Sequence, residues 1–122
     1  MKPMSQPNAQ KFCKAALSHL VEVNSREENE AIKAEIYKRG FNSREVEFWM
    51  GMTDRQSEGN WVLESTGESL PFSDWKSVEP NGGFGENCAH WTSHWPMKWH
   101  DFKCDRSSFI GGGYTYNALC EI

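Results

Sequence analysis

Residues 79–91 read EPNGGFGENCAHW, and this stretch carries most of the information about the fold. Glu79, Asn81 and Glu86 supply side-chain oxygens from one short loop. Pro80 stiffens the loop at one end, and a disulfide from Cys88 would fix the other. A cis bond before Pro80 would direct the flanking side chains to one side, and cis bonds are mostly X–Pro bonds in tight turns. The pattern predicts a stiffened loop with several hard oxygen donors.

The size and charge of the chain limit its class. Its 122 residues suffice for a single modest core, so we expect one domain over residues 1–122. The formal net charge of −4 argues against nucleic acid as a partner. No run of 18 apolar residues is present, which argues against membrane insertion. Polar residues follow Met4 where a signal peptide would have its apolar core, so we expect a mature chain or an expressed fragment.

The cysteine content indicates an oxidising compartment. There are four cysteines with no CxxC pair, namely Cys13, Cys88, Cys104 and Cys120. Two disulfides in a secreted or extracellular protein are the favoured interpretation, and spacing alone leaves three connectivities open. Four reduced structural thiols in an intracellular protein are the alternative.

The first half of the chain is predicted to be helical. Residues 8–17 place Phe12, Cys13, Ala16 and Leu17 on one face, after Pro7. The segment Ser25-Arg26-Glu27-Glu28 matches a capping box and opens a second helix. In that helix Glu35 and Arg39 form an i,i+4 pair, Gly40 is a good stop, and the charged residues are expected to form a solvated face.

The second half is predicted to contain short strands and long loops. Short aromatic runs alternate with Gly, Pro, Ser and Asn from residue 47 onward. Residues 64–85 have the composition of one long loop, which in a compact domain is usually functional or disordered. The six tryptophans favour order, and Trp91 and Trp99 are assigned to the core.

The oxygen donors of this half suit a divalent cation. If Cys88 pairs with Cys104, the loop bearing Glu79 comes close to Asp101. The converging carboxylates would repel one another, and calcium, which takes six to eight oxygen ligands, would relieve the repulsion. The alternative is a set of solvated loop carboxylates.

Four motifs together resemble the C-type lectin-like domain family over almost the whole chain. They are Phe48-Trp49-Met50-Gly51, Glu79-Pro80-Asn81, Trp99-His100-Asp101 and Leu119-Cys120-Glu121. The resemblance implies an α+β fold in which two helices flank small antiparallel sheets, with a long calcium- and sugar-binding loop region. It also implies the nested disulfides Cys13–Cys120 and Cys88–Cys104.

The resemblance further implies calcium-dependent binding of mannose-type sugars, in which sugar hydroxyls complete the calcium shell. Its calcium and sugar ligands map onto Glu79, Asn81, Glu86, His100 and Asp101. The Glu-Pro-Asn order implies mannose, glucose, N-acetylglucosamine or fucose, and the Gln-Pro-Asp order associated with galactose is absent. The partners are then glycans, and a homo-oligomer would supply the avidity that single domains lack.

An auxiliary calcium site is implied at Asp54 and Glu58, although Gly82 stands where the family has a further acid. The alternative for these two residues is a turn with solvated acids. Phe84 and Trp95 are the candidates for exposed contacts with a sugar. The segment 111–116 is either a hairpin extension without a role or a partner contact.

His100 departs from the family pattern, which has Asn at this position. Imidazole nitrogen is a poor calcium ligand, because calcium prefers oxygen. Three outcomes are open: His100 donates to the sugar, the site takes a transition metal, or the sugar site is degenerate. In the first case, protonation of His100 is expected to release ligand between about pH 5.5 and 7. A zinc cluster of His90, His94 and His100 is less favoured than scattered structural histidines.

The sequence predicts a binding module rather than an enzyme, since no nucleophile is paired with a base. The alternative function is a lectin-like interaction domain with a degenerate sugar site that binds a protein or a surface.

Overall fold

The computed structural model describes residues 4–39, 46–76, 79–80, 85–92, 97–105 and 115–121, without the side chains of residues 46, 92, 115 and 116. Two helices and seven short strands make up the secondary structure of this part of the chain. They are α1 (Gln6–Ala15), β1 (His19–Leu20), α2 (Arg26–Lys38), β2 (Val46–Thr53), β3 (Val62–Leu63), β4 (Cys88–Thr92), β5 (Trp99–Phe102), β6 (Thr115–Ala118) and β7 (Cys120–Glu121). The predicted α+β class is confirmed.

Helix α1 begins and ends earlier than its sequence pattern predicts. Ser5 caps its first turn by accepting a hydrogen bond from the Asn8 N–H at 3.4 Å. Cys13 is buried, but Phe12 is 50% and Leu17 is 90% exposed, and Ala16 is exposed as well, so the predicted apolar face is wrong at these three positions. The helix stops at Ala15 and Leu17 adopts a left-handed φ of 57°, so Leu17 does not continue the helical face.

Helix α2 has the predicted N-terminus and an unexpected buried face. Ser25 accepts from the Glu28 N–H at 3.1 Å, and Arg39 pairs with Glu35 at 2.8 Å, as predicted. The buried residues of the helix, however, are Asn29, Lys33 and Ile36. The prediction that its charged residues form a solvated face is wrong for Lys33, whose ammonium group has a buried carboxylate partner.

The main sheet is organised around β2. Strand β4 pairs antiparallel with β2, and β5 pairs antiparallel with β4. Strand β6 lies parallel to β2, and β3 pairs antiparallel with the C-terminal end of β2. The cross-strand pairs Phe48–Trp91 and Trp91–Trp99 fix the register. A second sheet joins β1 to β7. Trp91 and Trp99 are fully buried, as predicted.

Both predicted disulfides are present. Cys13–Cys120 joins α1 to β7 across a sequence separation of 107 residues. Cys88–Cys104 joins the start of β4 to the residues after β5 across a separation of 16. The second bridge holds together the two ends of the β4–β5 pair, next to the segment that carries the predicted ligands.

The described part of the long loop is ordered against β5. Trp99 donates its backbone N–H to the Asp74 carbonyl, and Lys76 donates its backbone N–H to the Trp99 carbonyl, both at 2.9 Å. The Trp75 ring packs edge-on against Trp99 and Trp61. Over the described residues, neither helix combines the length and the apolar character that crossing a membrane requires.

Candidate functional site

Glu79 is placed by the loop that pairs with β5. Its backbone N–H donates to the Lys76 carbonyl at 2.8 Å, and Lys76 is itself bonded to Trp99. The Glu79–Pro80 peptide bond is cis. The carboxyl of Glu79 therefore lies beside the strand that contains Asp101.

Asp101 contacts Glu79 through backbone and side chain. The backbone N–H of Asp101 donates to Glu79 Oε2 at 3.2 Å, and Asp101 is only 5% exposed. Burial, the hydrogen bond with the Asp101 carboxyl and the charges of Asp101 and Glu86 raise the pKa of Glu79 to about 7. The backbone hydrogen bond acts in the opposite direction. Burial and the neighbouring carboxyls therefore both disfavour the charged form of Glu79.

Glu86 completes the anionic cluster. Burial and the charge of Asp101 raise the pKa of Glu86, and Lys103 partly opposes this. The donors of the cluster are all carboxylate oxygens, which calcium prefers. Among the described residues, no three His, Cys, Asp or Glu side chains lie close enough together to hold a metal ion. The carboxylates thus interact electrostatically without forming a closed coordination shell.

Asp54 and Glu58 form a second carboxylate pair, and the charge of Asp101 acts on Glu58 as well. Asp54 is 2% exposed, and its Oδ2 accepts from the Gly59 N–H at 2.9 Å. Its buried Oδ1 has no hydrogen-bond partner in the described part of the chain. Desolvation, contact with the Asp54 carboxyl and the charges of Asp54 and Asp101 raise the pKa of Glu58. A buried carboxylate oxygen without a donor fits a position beside a cation.

His100 lies on the other face of β5 from Asp101. Along the strand, Trp99 and Asp101 are buried while His100 and Phe102 are partly exposed. The His100 ring stacks on His90, with ring centroids 5.6 Å apart and an interplanar angle of 24°. Burial and the nearby charge of Lys76 lower the pKa of His100, and Asp101 opposes this.

His90 is a buried histidine of β4. It is 4% exposed, and its ring lies edge-on to Trp49 with centroids 5.9 Å apart. Burial, followed by the proximity of His100, lowers the pKa of His90 to about 3. His90 is therefore neutral at physiological pH. The preference for structural histidines over a zinc cluster stays a prediction, because His94 lies outside the described residues.

Several predicted site residues lie outside the described residues. They are Asn81, Phe84 and Trp95, together with Gly82, His94 and residues 111–114. The roles predicted for them, and the ligand role of His100, stay predictions. The structure brings Glu79, Glu86 and Asp101 within electrostatic range of one another, and Asp54, Glu58 and Asp101 likewise.

A buried polar network that was not predicted from the sequence joins α2 to β4, β5 and the long loop. Asn29 of α2 accepts hydrogen bonds from the indole N–H groups of Trp91 and Trp99, at 3.2 and 3.1 Å. Asn29 also donates to Asp74 at 2.8 Å, and Lys33 pairs with Asp74 at 2.7 Å. Polar residues on a helix are usually solvent-exposed, so the pattern of α2 alone carried no signal for this network.

Comparison with known proteins places the chain in a family. The family model described as "Lectin C-type domain" matches residues 2–110. The chicken (Gallus gallus) hepatic lectin is 36% identical over 104 residues, which are 83% of this chain and 45% of that protein. An alpha-N-acetylgalactosamine-specific lectin from Patiria pectinifera is 28% identical over 105 residues, or 84% of this chain and 61% of that protein. This chain thus spans roughly half the length of these curated relatives.

Solved structures show the same architecture. The mouse scavenger receptor C-type lectin carbohydrate-recognition domain matches with a TM-score of 0.74 and 31% identity, over 87% of this chain and 78% of that one. A calcium-independent type II antifreeze protein matches with a TM-score of 0.71 and 22% identity, over 85% of this chain and 73% of that one. The second likeness, at this identity, concerns the fold alone.

Proposed function

This chain belongs to the C-type lectin domain family, and from that premise we propose that residues 1–122 form a single calcium-dependent carbohydrate-recognition domain of the mannose type. Members of the family are carbohydrate-binding proteins without enzymatic activity, in agreement with the sequence analysis. Carbohydrate binding is common to the lectin relatives, while the sugar class and the calcium requirement are our proposal.

The contact between Glu79 and Asp101 is the observation that carries the proposal. The carboxyl groups of Glu79 and Asp101 lie together beside β5. Burial, the Asp101 carboxyl and the charge of Glu86 raise the pKa of Glu79 to about 7. Such an arrangement is unfavourable at neutral pH unless a proton or a cation neutralises it. A hard divalent cation matches the all-oxygen donor set.

The residues that would hold calcium are those of the predicted principal site. They are Glu79, Asn81, Glu86 and Asp101, with His100 at the fifth position. When bound, calcium would supply positive charge and open coordination positions for two neighbouring sugar hydroxyls. The carboxylates of Glu79 and Glu86 would accept hydrogen bonds from those hydroxyls, and the amide of Asn81 would donate one.

Residues around this position would select the sugar. The Glu-Pro-Asn order supports recognition of mannose, N-acetylglucosamine, glucose or fucose. Phe84 and Trp95 are proposed to contact the apolar face of the ring, because aromatic side chains offer both apolar surface and a defined orientation. This proposal for the sugar class departs from the name of the Patiria relative, which specifies N-acetylgalactosamine.

A second calcium is proposed beside Asp54 and Glu58. The oxygen donors are the Glu58 carboxyl and Asp54 Oδ1, which has no hydrogen-bond partner among the described residues. The charge of Asp101 acts on both clusters. Neutralisation at one cluster would reduce repulsion at the other, so the two ions would bind with positive coupling.

We further propose an extracellular location and glycans as partners. Two disulfides persist in oxidising compartments, and C-type lectin domains are often extracellular. A single sugar site buries little surface, so a homo-oligomer would be needed for tight binding to multivalent glycans.

A glycan array with and without a calcium chelator tests the proposal. We expect binding to mannose-type glycans in calcium, loss of that binding in the chelator, and weaker signals on galactose and N-acetylgalactosamine. Equal binding to galactose-type glycans would overturn the sugar class, and binding that survives the chelator would overturn the calcium requirement.

The alternative function is a lectin-like interaction domain with a degenerate sugar site. It is favoured by one observation: His100 occupies the position of the family's Asn and stacks on His90, on the face opposite Asp101. Such a domain would bind a protein or a surface with calcium optional. An array without glycan signals under either condition would select this alternative.

A further inference from the structure

Helix α2 supplies a buried amide that contacts both elements carrying the candidate carboxylates. On the basis of the function proposed above, we infer that Asn29 is a positioning residue for the calcium site, acting through Trp99 and Asp74. Asn29 has no exposed surface, and it lies in the half of the chain where no functional residue is predicted from the sequence.

The side chain of Asn29 uses its carbonyl and its amide nitrogen for different partners. Its carbonyl oxygen accepts from the indoles of Trp91 and Trp99 at 3.2 and 3.1 Å. Its nitrogen donates to Asp74 Oδ2 at 2.8 Å. One amide thus fixes two tryptophans of the sheet and one carboxylate of the long loop relative to α2.

Asp74 is the point at which the long loop is held. Its carboxylate is 9% exposed and pairs with Lys33 Nζ at 2.7 Å and Lys98 Nζ at 2.5 Å. Lys33 is itself 6% exposed, so the pair is largely removed from water. A buried ion pair contributes little net stability but allows only a narrow range of arrangements, so here it specifies where the loop lies.

The backbone carries this placement to the carboxylates. Trp99 donates to the Asp74 carbonyl and Lys76 donates to the Trp99 carbonyl, both at 2.9 Å, and Glu79 donates to the Lys76 carbonyl at 2.8 Å. Two residues beyond Trp99, Asp101 donates to Glu79. These contacts connect Asn29, through Asp74 and Trp99, to Glu79 and Asp101. A shift of Trp99 or Asp74 relative to α2 would therefore change the separation of the Glu79 and Asp101 carboxyls.

An apolar residue at position 29 would fill the volume without reproducing this role. Two buried indole N–H groups and one buried carboxylate would each lose a partner, and such groups move to find another. Groups hydrogen-bonded directly to metal ligands typically change metal affinity by about 10- to 100-fold when they are replaced. Asn29 acts one contact further away, so an effect at the lower end of this range is expected.

Calcium titration of the full chain and of Asn29→Asp tests the inference. The substituted side chain still accepts from both indoles, but it opposes the carboxylate of Asp74 instead of donating to it. We expect calcium affinity to fall about 10-fold.

A control variant separates positioning from general stability. Glu22→Gln alters another buried polar group, whose carboxylate accepts from the Ser65 N–H and Oγ at 2.8 and 2.7 Å. Affinities are measured well below the unfolding temperature of each protein. Glu22→Gln is expected to lose stability and keep its calcium affinity. An equal loss of affinity in both variants would overturn the inference, as would unchanged affinity in Asn29→Asp.

Lys98→Met is the replacement test variant if Asn29→Asp does not fold. Lys98 is 40% exposed, and its loss leaves Asp74 paired with Lys33. We expect weaker calcium binding and faster hydrogen exchange at the Trp99 amide, which donates to Asp74. Unchanged exchange together with unchanged affinity would overturn the inference. Absence of calcium binding in the unsubstituted chain would overturn the proposed calcium site and this inference together, and loss confined to the variants supports both.

Discussion

The backbone N–H of Asp101 donates to Oε2 of Glu79 at 3.2 Å, across 22 residues of sequence. This bond joins a strand of the main sheet to the Glu-Pro-Asn loop. It places two acidic side chains together, and a hydrogen bond between the two carboxyls and one backbone donor partly offset their repulsion. The relation is the structural basis for the proposed cation site.

Asp101 has a second role, because its charge also acts on Glu58 in the other carboxylate pair. The charge of Asp101 therefore acts at both proposed calcium sites. Its removal should affect both, whereas removal of Glu79 should affect mainly the principal one.

The first prediction concerns Glu79→Gln and Asp101→Ala. Each variant loses a carboxylate that the proposed ion requires, so we expect at least about a 10-fold loss of calcium affinity and the loss of calcium-dependent mannose binding. Calorimetric titration with calcium measures the first effect, and binding to immobilised mannose measures the second.

Glu68→Gln is the matched control for these variants, because Glu68 is an exposed carboxylate of the same long loop. It should bind calcium and sugar as the parent chain does. Circular dichroism should report the same fold in all variants. Mannose binding that survives Glu79→Gln or Asp101→Ala would place the principal site elsewhere.

Local sequence signals predicted much of the fold. The Ser25 cap and the Glu35–Arg39 pair involve residues three or four positions apart, so a helical pattern contains both. The disulfide pairing followed from the family resemblance, since spacing alone left three connectivities. The burial of Trp91 and Trp99 followed from the small size of the domain.

Local sequence patterns could not predict the buried face of α2. Asn29 is 45 residues from Asp74 and 70 from Trp99. A helical period reports where apolar residues recur, and it cannot show that an Asn and a Lys will be buried by partners so far along the chain. The opposite orientation of His100 and Asp101, by contrast, is a consequence of strand geometry, in which successive side chains alternate between faces.

The second prediction concerns the two disulfides. In the chain-entropy model, a bridge closing a loop of about 100 residues contributes about 4.7 kcal/mol, and one closing about 15 residues contributes about 3 kcal/mol. Replacing Cys13 and Cys120 by Ala should therefore lower the free energy of unfolding more than replacing Cys88 and Cys104, as measured by urea denaturation.

The smaller loop should nevertheless matter more for function. The Cys88–Cys104 bridge closes the β4–β5 pair that carries Asp101, so its removal should weaken calcium binding in protein that is still folded. The Cys13–Cys120 bridge lies between α1 and β7, and its removal should leave calcium affinity nearly unchanged at temperatures where the fold persists. The reverse order of calcium affinities would contradict the proposed location.

The third prediction concerns the pH dependence of stability without calcium. Glu79 has an ordinary pKa of 4.5 and a folded-state pKa of about 7, so between these values the folded chain binds more protons than the unfolded chain. Stability in a chelator should fall as the pH rises from about 4.5 to about 7 through this group. Calcium replaces the proton, so its stabilising effect should be largest above pH 7 and smallest near pH 4.5.

Thermal unfolding at a series of pH values, with chelator and with calcium, measures this dependence. In Glu79→Gln the position carries no titrating carboxyl, so the loss of stability between pH 4.5 and 7 should be reduced. If both proteins show the same dependence in the chelator, Glu79 does not hold the proton that calcium displaces.

The fourth prediction concerns which group starts calcium release on acidification. The sequence assigns the range of about pH 5.5 to 7 to His100, from its unperturbed pKa of about 6.5. In the structure, burial and the charge of Lys76 lower the pKa of His100, whereas burial and Asp101 raise the pKa of Glu79 to about 7. As the pH falls, Glu79 takes up its proton first. In His100→Asn, we therefore expect the loss of calcium affinity still to begin near pH 7, because Glu79 is unchanged. Calcium titrations of both proteins between pH 5 and 8 measure this, and His19→Asn, at a half-buried position in β1, serves as the control. An onset that moves to lower pH in His100→Asn alone would assign the release to His100 instead of Glu79.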